Sequence, residues 1–579
     1  MHPIFGILTL AFLVTVAPAR ANELARPDPE TSTGFSASEA STFSHEVVVA
    51  AHPLAADAGF AILKQGGSAL DAAIAVQAML TLVEPQSSGI GGGAFLLYWD
   101  AQAQQLHAYD GRETAPSNAT SQLFISPDGD AMRWIDAVIG GRAVGAPGVL
   151  RMLELAHSRH GKLAWATLFE PAIKQSKEGF LVGERLHQLI NQSVNPGLGR
   201  YPEARDYFFT ETGAPLPVGT RRDNPALAQT LIRIAAEGAD ALYTGPLARQ
   251  IAERVHNVTD NPGYLTEDDL ANYRAVERTP LCQSYRSYRV CGFPPPTSGG
   301  ATLLQILGIM ENFAPQSPQS TDFAHLFTQA SRLAYADRAQ YLADPDFVQV
   351  PVKALLDKEY LQHRAALIDP NKDMGKAAAG EPVSLSRSDD RSPELPSTSH
   401  FVIVDQAGNA VSITSSIEHA FGSTLMVGGF LLNNQLTDFS FQSERDGQPI
   451  ANRVEPGKRP RSSMAPVMIF DAENRLVGAI GSPGGSHIIN YVAQSVIAMI
   501  DSDLSLQAIV SLPHISNRNG STALEDRQIS TSLLDALESR GHTLDQRSLN
   551  SGLHGVRRLP DGRWETGVDP RREGKAVGR

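Results

Sequence analysis

Two cysteines in 579 residues are too few for a disulfide scaffold or for a zinc site built from cysteines alone. Cations are also scarce: 49 Lys and Arg stand against 62 Asp and Glu, a net charge of −13 with histidine neutral. A nucleic-acid surface needs concentrated Lys and Arg, so this balance argues against such a partner. The N-terminal apolar run, residues 4–16, has 13 residues, short of the ~20 that span a bilayer as a helix. Ala19-Arg20-Ala21 follows it as a small-x-small cleavage pattern, which reads as a signal peptide over residues 1–21, cut before Asn22. Positive charge ahead of the run is limited to His2 and the α-amine, so an uncleaved N-terminal anchor is the alternative. No cysteine follows the run, which excludes a lipid-modified terminus. A periplasmic or secreted location is therefore expected, in an oxidising compartment.

What is present is the composition of an ordinary globular protein, 42% hydrophobic and 19% charged. At about 150 residues per domain, the length allows about four domains or one large α/β unit. Residues 22–46 are rich in Ser, Thr, Glu, Asp and Pro without an apolar period and predict a flexible leader. Residues 54–82 predict two Ala-rich helices split by Gln65-Gly66-Gly67-Ser68, with Ser68 capping the second. Ser88-Gly89-Ile90-Gly91-Gly92-Gly93 then leads into an apolar strand. With neither Gly-Lys-Ser/Thr nor a helix after it, this run predicts close backbone packing rather than a phosphate loop.

Residues 150–370 are mostly helical in pattern and read as scaffold. Within them, Cys282 and Cys291 lie symmetrically about the Arg286/Ser287 midpoint, as opposed residues of a hairpin do. In an oxidising compartment they predict a disulfide. The chain-entropy model gives about 2.7 kcal/mol for so short a loop, and the other reading leaves them as small buried thiols. Residues 371–397 crowd out large apolar side chains and predict an exposed linker. Two hairpins follow, 401–404 with 410–415 and 467–470 with 476–480. The second runs into Gly481-Ser482-Pro483-Gly484-Gly485 and a long apolar helix, residues 487–499.

The linker feeds a strand that begins Thr398-Ser399-His400. A threonine hydroxyl needs a base, and its own α-amine serves once the preceding peptide bond is cut. That amine titrates near 7.7 to 8 when unperturbed, so part of it is neutral at physiological pH. Pro396 pushes Leu395 toward extended geometry and leaves Ser397-Thr398 accessible. Attack of the Thr398 hydroxyl on the Ser397 carbonyl, followed by hydrolysis of the ester, separates residues 22–397 from residues 398–579. Taken alone, a threonine at a strand start is an ordinary β-former.

The surrounding motifs carry more. The chain resembles the γ-glutamyltransferase family of N-terminal-nucleophile hydrolases in Gly67-Ser68-Ala69-Leu70-Asp71-Ala72-Ala73, Asp110-Gly111-Arg112-Glu113-Thr114-Ala115-Pro116 and Pro294-Pro295-Pro296-Thr297-Ser298-Gly299-Gly300. The likeness continues in Thr398-Ser399-His400, Leu431-Leu432-Asn433-Asn434-Gln435-Leu436-Thr437-Asp438-Phe439-Ser440, Lys458-Arg459-Pro460-Arg461-Ser462-Ser463-Met464 and Gly481-Ser482-Pro483-Gly484-Gly485. The order and spacing of these stretches cover nearly the whole chain after residue 46.

The resemblance implies an α+β fold, a four-layer αββα sandwich formed jointly by a large chain (residues 47–397 with the leader) and a small catalytic chain (398–579). It implies self-cleavage between Ser397 and Thr398, a heterodimer of the two products and no metal or organic cofactor. Glutathione and other γ-glutamyl compounds would be donors, with water, amino acids or dipeptides as acceptors. Arg112, Ser462 and Ser463 would hold the donor's α-carboxylate, the arginine through a bidentate fork. Gln435 and Asp438 would hold its ammonium, Ser416 would support the nucleophile, and the Gly484 and Gly485 amides would face the oxyanion. His400 and His419 flank the site and read as structural, since the mechanism already has its base.

There are two departures. Glu418 stands where better-known members have asparagine. Its charge either strengthens ammonium binding or, by like-charge repulsion with Asp438, raises one carboxylate's pKa. The segment between Asp438 and Ser462 lacks the tyrosine-bearing lid of some bacterial members, and an open site suits bulkier acyl groups. The alternatives are thus a glutaryl or cephalosporin acylase of the same fold, and, from another class, a non-catalytic exported binding protein.

Overall fold

The computed structural model describes residues 34–36, 40–392 and 397–579. The signal peptide, most of the leader and Leu395-Pro396 lie outside them. Two seven-stranded antiparallel sheets form the centre. Their strands in chain order are β1 (Thr42–Phe43), β2 (Val47–Ala50), β3 (Gly93–Asp100), β4 (Gln105–Gly111), β5 (Val276–Arg278), β6 (Leu281–Tyr285) and β7 (Tyr288–Gly292). They continue as β8 (Ser399–Val404), β9 (Ala410–Ser416), β10 (Val467–Phe470), β11 (Leu476–Gly481), β12 (His554–Arg558), β13 (Trp564–Val568) and β14 (Lys575–Gly578). One sheet runs β14-β2-β8-β9-β3-β4-β5 and the other β1-β13-β12-β11-β10-β7-β6. The hairpin β8-β9 is therefore wedged between β2 and β3, which come from the other side of residue 398.

Both faces of the first sheet are covered, and strand alternation shows how. Val402 and Val404 point between the sheets, with Val47, Val49, Phe95, Leu97 and Trp99. Phe401 and Ile403 point outward with Val48, Ala50 and Leu96, beneath helices α1 (Pro53–Lys64) and α2 (Ala69–Val83). The outer face of the second sheet is closed by α3 (Gly299–Met310), α4 (Thr321–Tyr341) and α5 (Ile488–Asp501). Helix, sheet, sheet, helix is the four-layer arrangement the motifs imply.

Local signals account for several elements. Ser68 caps α2 reciprocally with Asp71, its hydroxyl accepting from the Asp71 amide at 3.2 Å while its own amide donates to the Asp71 carboxylate at 2.9 Å. Both predicted hairpins form, β8-β9 around residues 405–409 and β10-β11 around residues 471–475. Cys282 and Cys291 face each other across β6 and β7 and form a disulfide, Cα to Cα 4.1 Å. The glycine run packs closely, as expected: a Cβ on Gly92 would stand 2.1 Å from the Ser416 carbonyl oxygen, which only glycine avoids.

Two expectations need correction. Regular structure starts at Thr42 rather than Val47, because Thr42 and Phe43 pair with Glu565 and Trp564 at the sheet edge. Residues 371–392 are not an exposed linker but are laid against the body, mostly half-buried. The Ala377 amide donates to Asn519 Oδ1 at 2.7 Å, Gly380 to Asp337 at 2.8 Å and Asp390 to the Ala339 carbonyl at 2.9 Å. Polar composition signalled water, while backbone groups found partners on the folded surface. Among the described residues, no helix is long and apolar enough to cross a membrane.

Candidate active site

Eight of the residues singled out from sequence line one pocket: Thr398, Ser416, Glu418, Gln435, Asp438, Ser462, Ser463 and Gly485, with Met464 and Ile488 as its apolar wall. Thr398 sits at the entry to β8, and Ser416 ends the paired strand β9. The Thr398 hydroxyl donates to Ser416 Oγ at 3.3 Å, and the Ser416 hydroxyl donates to the Ser397 carbonyl oxygen at 2.6 Å. Ser416 Oγ also accepts from the Glu418 amide at 2.9 Å, which fixes the relay. Ser397 and Thr398 are 1% and 4% exposed, so the accessible junction expected from Pro396 is instead buried. A local steric argument does not see the tertiary cover: Ser397 Oγ is held by the Gln86 carbonyl at 2.6 Å, and Arg572 donates to the Thr398 carbonyl at 3.3 Å.

Opposite the hydroxyl, a short 3₁₀ turn (Gln435–Asp438) presents two polar side chains. Asn433 and Asn434 hold that turn. Asn433 bridges the Gly91 and Gly145 carbonyls, and Asn434 Oδ1 accepts from the His419 amide. Asp438 Oδ2 accepts from Gln435 Nε2 at 2.8 Å and from Arg112 Nη2 at 2.5 Å. Arg112 is fully buried and is not part of the pocket wall. Its Nε and Nη2 also donate to the Pro460 and Arg461 carbonyls, both at 3.0 Å, so the fork is already engaged in the free protein. Its Nη1 has no hydrogen-bond partner and faces Glu113 at 3.6 Å.

Three acceptor atoms in the pocket have no donor: both carboxylate oxygens of Glu418 and Oε1 of Gln435. Glu418 is 3% exposed. Burial, and next the negative charge of Asp438, hold its carboxyl well above the usual carboxylate range. Two neighbouring donors give little relief, since the His419 amide and the Thr437 hydroxyl are both committed to Asn434. Of the two outcomes left open by the sequence for this extra carboxylate, the structure thus favours a raised pKa.

Glu113, behind Arg112, is likewise buried with neither oxygen hydrogen-bonded, and burial pushes it up to about 8 against the pull of Arg112 at 3.6 Å. A carboxyl that must keep its proton to fold contributes stability that is complete below pH ~4.5 and lost as pH rises to about 8. That loss is on the order of 4 kcal/mol. Glu113→Gln is expected to abolish it, so denaturant midpoints at pH 5 and 8 should differ clearly less in this variant than in the parent.

The Ser462-Ser463 loop is shaped by the Pro-Pro-Pro-Thr-Ser-Gly-Gly motif, whose role the sequence did not show. Ser298 donates to the Ser462 carbonyl through its amide and its hydroxyl, and Thr297 Oγ1 donates to the Met464 carbonyl at 2.7 Å. Arg338, missed in the sequence, joins the two loops by donating to Ser298 Oγ and Ser463 Oγ, both at 2.7 Å. Gly484 adopts φ +134°, and a Cβ there would meet the Tyr491 ring at 2.6 Å. The Gly484 and Gly485 amides donate to no protein acceptor among the described residues, and they stand where the chain turns into α5. His400 is buried against Gly481, bonded to Thr414 Oγ1 at 2.9 Å and held neutral by burial, which agrees with a structural part.

An αββα sandwich whose pocket opens at the residue leading into a central strand is the architecture of the N-terminal-nucleophile hydrolases. The γ-glutamyltranspeptidase family model matches residues 55–579. The glutathione hydrolase proenzyme of Bacillus subtilis (strain 168) is 36% identical over 549 residues, 92% of this chain and 91% of that one. The acylase ACY 1 proenzyme of Pseudomonas sp. (strain SE83) is 35% identical over 534 residues, 90% and 91% of the two chains. The crystal structure of cephalosporin acylase from Bacillus halodurans superposes with a TM-score of 0.82 at 27% identity, covering 95% of this chain and 99% of that one. The chain belongs to the γ-glutamyltranspeptidase family and is an enzyme of that type.

Proposed function

We propose that the protein is an exported, self-cleaving γ-glutamyl acyltransferase and hydrolase that works through an ester on Thr398. The observation that carries this reading is the set of unpaired acceptors, Glu418 and Gln435 Oε1, lining the same pocket as Thr398 and Asp438. Buried acceptors without donors are costly, and a group with several N–H bonds, such as the α-ammonium of a γ-glutamyl donor, satisfies them together.

In maturation, Thr398 Oγ attacks the Ser397 carbonyl carbon while its proton passes toward Ser416, whose own hydroxyl supports the developing oxyanion. The Ser397–Thr398 C–N bond breaks, the nitrogen takes a proton, and water opens the ester to leave a carboxylate on Ser397 and an α-amine on Thr398. The large chain (22–397) and the small chain (398–579) stay together as a heterodimer, and neither a metal nor an organic cofactor takes part. In turnover that amine accepts the Thr398 hydroxyl proton, Oγ attacks the donor's γ-carbonyl, and the Gly484 and Gly485 amides take the negative charge. The leaving amine receives the proton, and water, an amino acid or a dipeptide amine then resolves the ester. Ser462 and Ser463 are assigned to the donor's α-carboxylate, whereas Arg112, committed to Asp438 and to two backbone carbonyls, stands behind the pocket wall and is not left with the free fork expected from the sequence. Glutathione is the donor class, and the N-terminal segment directs the enzyme to the periplasm or the medium.

A second reading, a glutaryl or cephalosporin acylase, is favoured by the likeness to ACY 1 and by a Glu418 whose carboxyl burial pushes up, which weakens its hold on an ammonium. Anilides with the same leaving group decide between them. At pH 8 the γ-glutamyl anilide is expected to exceed the glutaryl anilide in kcat/KM by about tenfold or more, because the glutaryl group leaves Glu418 and Gln435 Oε1 without a donor. The reverse order establishes the acylase.

A further inference from the structure

Glu418 is the one pocket carboxylate without a partner. Asp438 is matched by Arg112 and Gln435, whereas neither Glu418 oxygen has a donor of its own, the nearby His419 amide and Thr437 hydroxyl being committed to Asn434. Its backbone is fixed in the left-handed region at φ +74°, unusual for glutamate, by its own amide on Ser416 Oγ and by the next amide on Asn434. The side chain is therefore held in the pocket rather than free to reach solvent.

The charged groups around it come from four directions. On its own loop, His419 is turned away, its Nε2 on the Val194 carbonyl at 3.0 Å and its ring edge-on to Trp134. The 3₁₀ turn contributes Asp438, the end of β4 contributes Arg112 with Glu113 behind it, and β8 contributes Thr398, whose α-amine exists only after cleavage. The charge of Arg112 is already taken up by Asp438, so a second anion in this pocket lacks a protein cation of its own.

Resting on the acyl-transfer reading above, we infer that Glu418 makes the choice of acyl donor depend on pH. With its proton, the pocket carries one fewer negative charge and admits a glutaryl-type chain that has no ammonium. Without it, Glu418 and Asp438 together hold the ammonium of a γ-glutamyl donor and repel the uncompensated glutaryl group. The proton exchanges with solvent, and no other group needs to change state. The position of Glu418 relative to neutrality then sets which donor class the same enzyme serves in an acidic or an alkaline medium.

The test uses the cleaved enzyme and two anilides, γ-glutamyl and glutaryl, with kcat/KM measured from about pH 5.5 to about pH 8, below the titration of the donor's own amine. Their ratio cancels the ionisation of the Thr398 amine, which both substrates require equally. The ratio of γ-glutamyl to glutaryl is expected to rise about tenfold with pH, and in Glu418→Gln to stay flat near its low-pH value. Cleavage into two chains reports that the variant folds. If it does not fold, the pH course of the parent's ratio decides. A flat parent ratio with both anilides turned over overturns the inference and leaves the acyl-transfer reading intact, as does a Glu418→Gln variant that keeps the rise. If the cleaved enzyme turns over neither anilide at any pH, the acyl-transfer reading falls and this inference with it.

Discussion

Thr398→Ala is expected to run as one full-length polypeptide on a denaturing gel and to lose γ-glutamyl anilide turnover by at least ~10⁴-fold. Both losses have one cause, since the same oxygen attacks the Ser397 carbonyl in maturation and the donor carbonyl in turnover. The variant removes the hydroxyl that donates to Ser416 but leaves the sheet intact, because β8 begins one residue later and its pairing with β9 and β2 does not involve the side chain. Retention of fold should appear as an unchanged circular dichroism spectrum. Thr398→Ser keeps the oxygen and should restore both cleavage and activity in part. Cleavage of the alanine variant at the same bond would remove the mechanism proposed for maturation.

Ser416→Ala is expected to slow maturation by about 10²- to 10³-fold, the usual cost of losing one oxyanion donor. Its hydroxyl donates to the Ser397 carbonyl oxygen at 2.6 Å, and the same hydroxyl is the acceptor for Thr398. Alanine thus removes the oxyanion donor and the proton relay together. Quantifying uncut chain against time after synthesis measures the effect, and Ser416→Thr, which retains a hydroxyl, should mature at a rate close to the parent. If the alanine variant matures as fast as the parent, Ser416 is a bystander and the oxyanion is stabilised elsewhere.

Local features were legible where the physics is local. Ser68 announced the start of α2, alternation announced β8-β9 and β10-β11, and the glycines before β3 announced a close approach. Thr398 was different. By composition it was only a β-former, and its significance came from the resemblance carried by the motifs around it. The long-range partners carried no local sign at all. Asp438 and Arg112 are 326 positions apart, and Arg338 reaches Ser463 across 125. Burial was the other blind spot. The acidity of Glu113 and Glu418 depends on which donors the fold withholds from them, and Pro396 could not reveal that Ser397 and Thr398 are covered. Residues 371–392 misled in the opposite sense, since a polar composition does not distinguish a free tether from a strip whose amides are captured by the surface.

The placement of β8 and β9 between β2 and β3 determines how the proposed two-chain product comes apart. After cleavage, denaturation is also dissociation, because removing either polypeptide tears the sheet through its middle. The melting temperature of the cut protein should therefore shift with protein concentration, while that of the Thr398→Ala single chain should not. Recovery after heating should differ as well: the intact variant refolds in a unimolecular step, whereas the cut protein must find its other half again from solution.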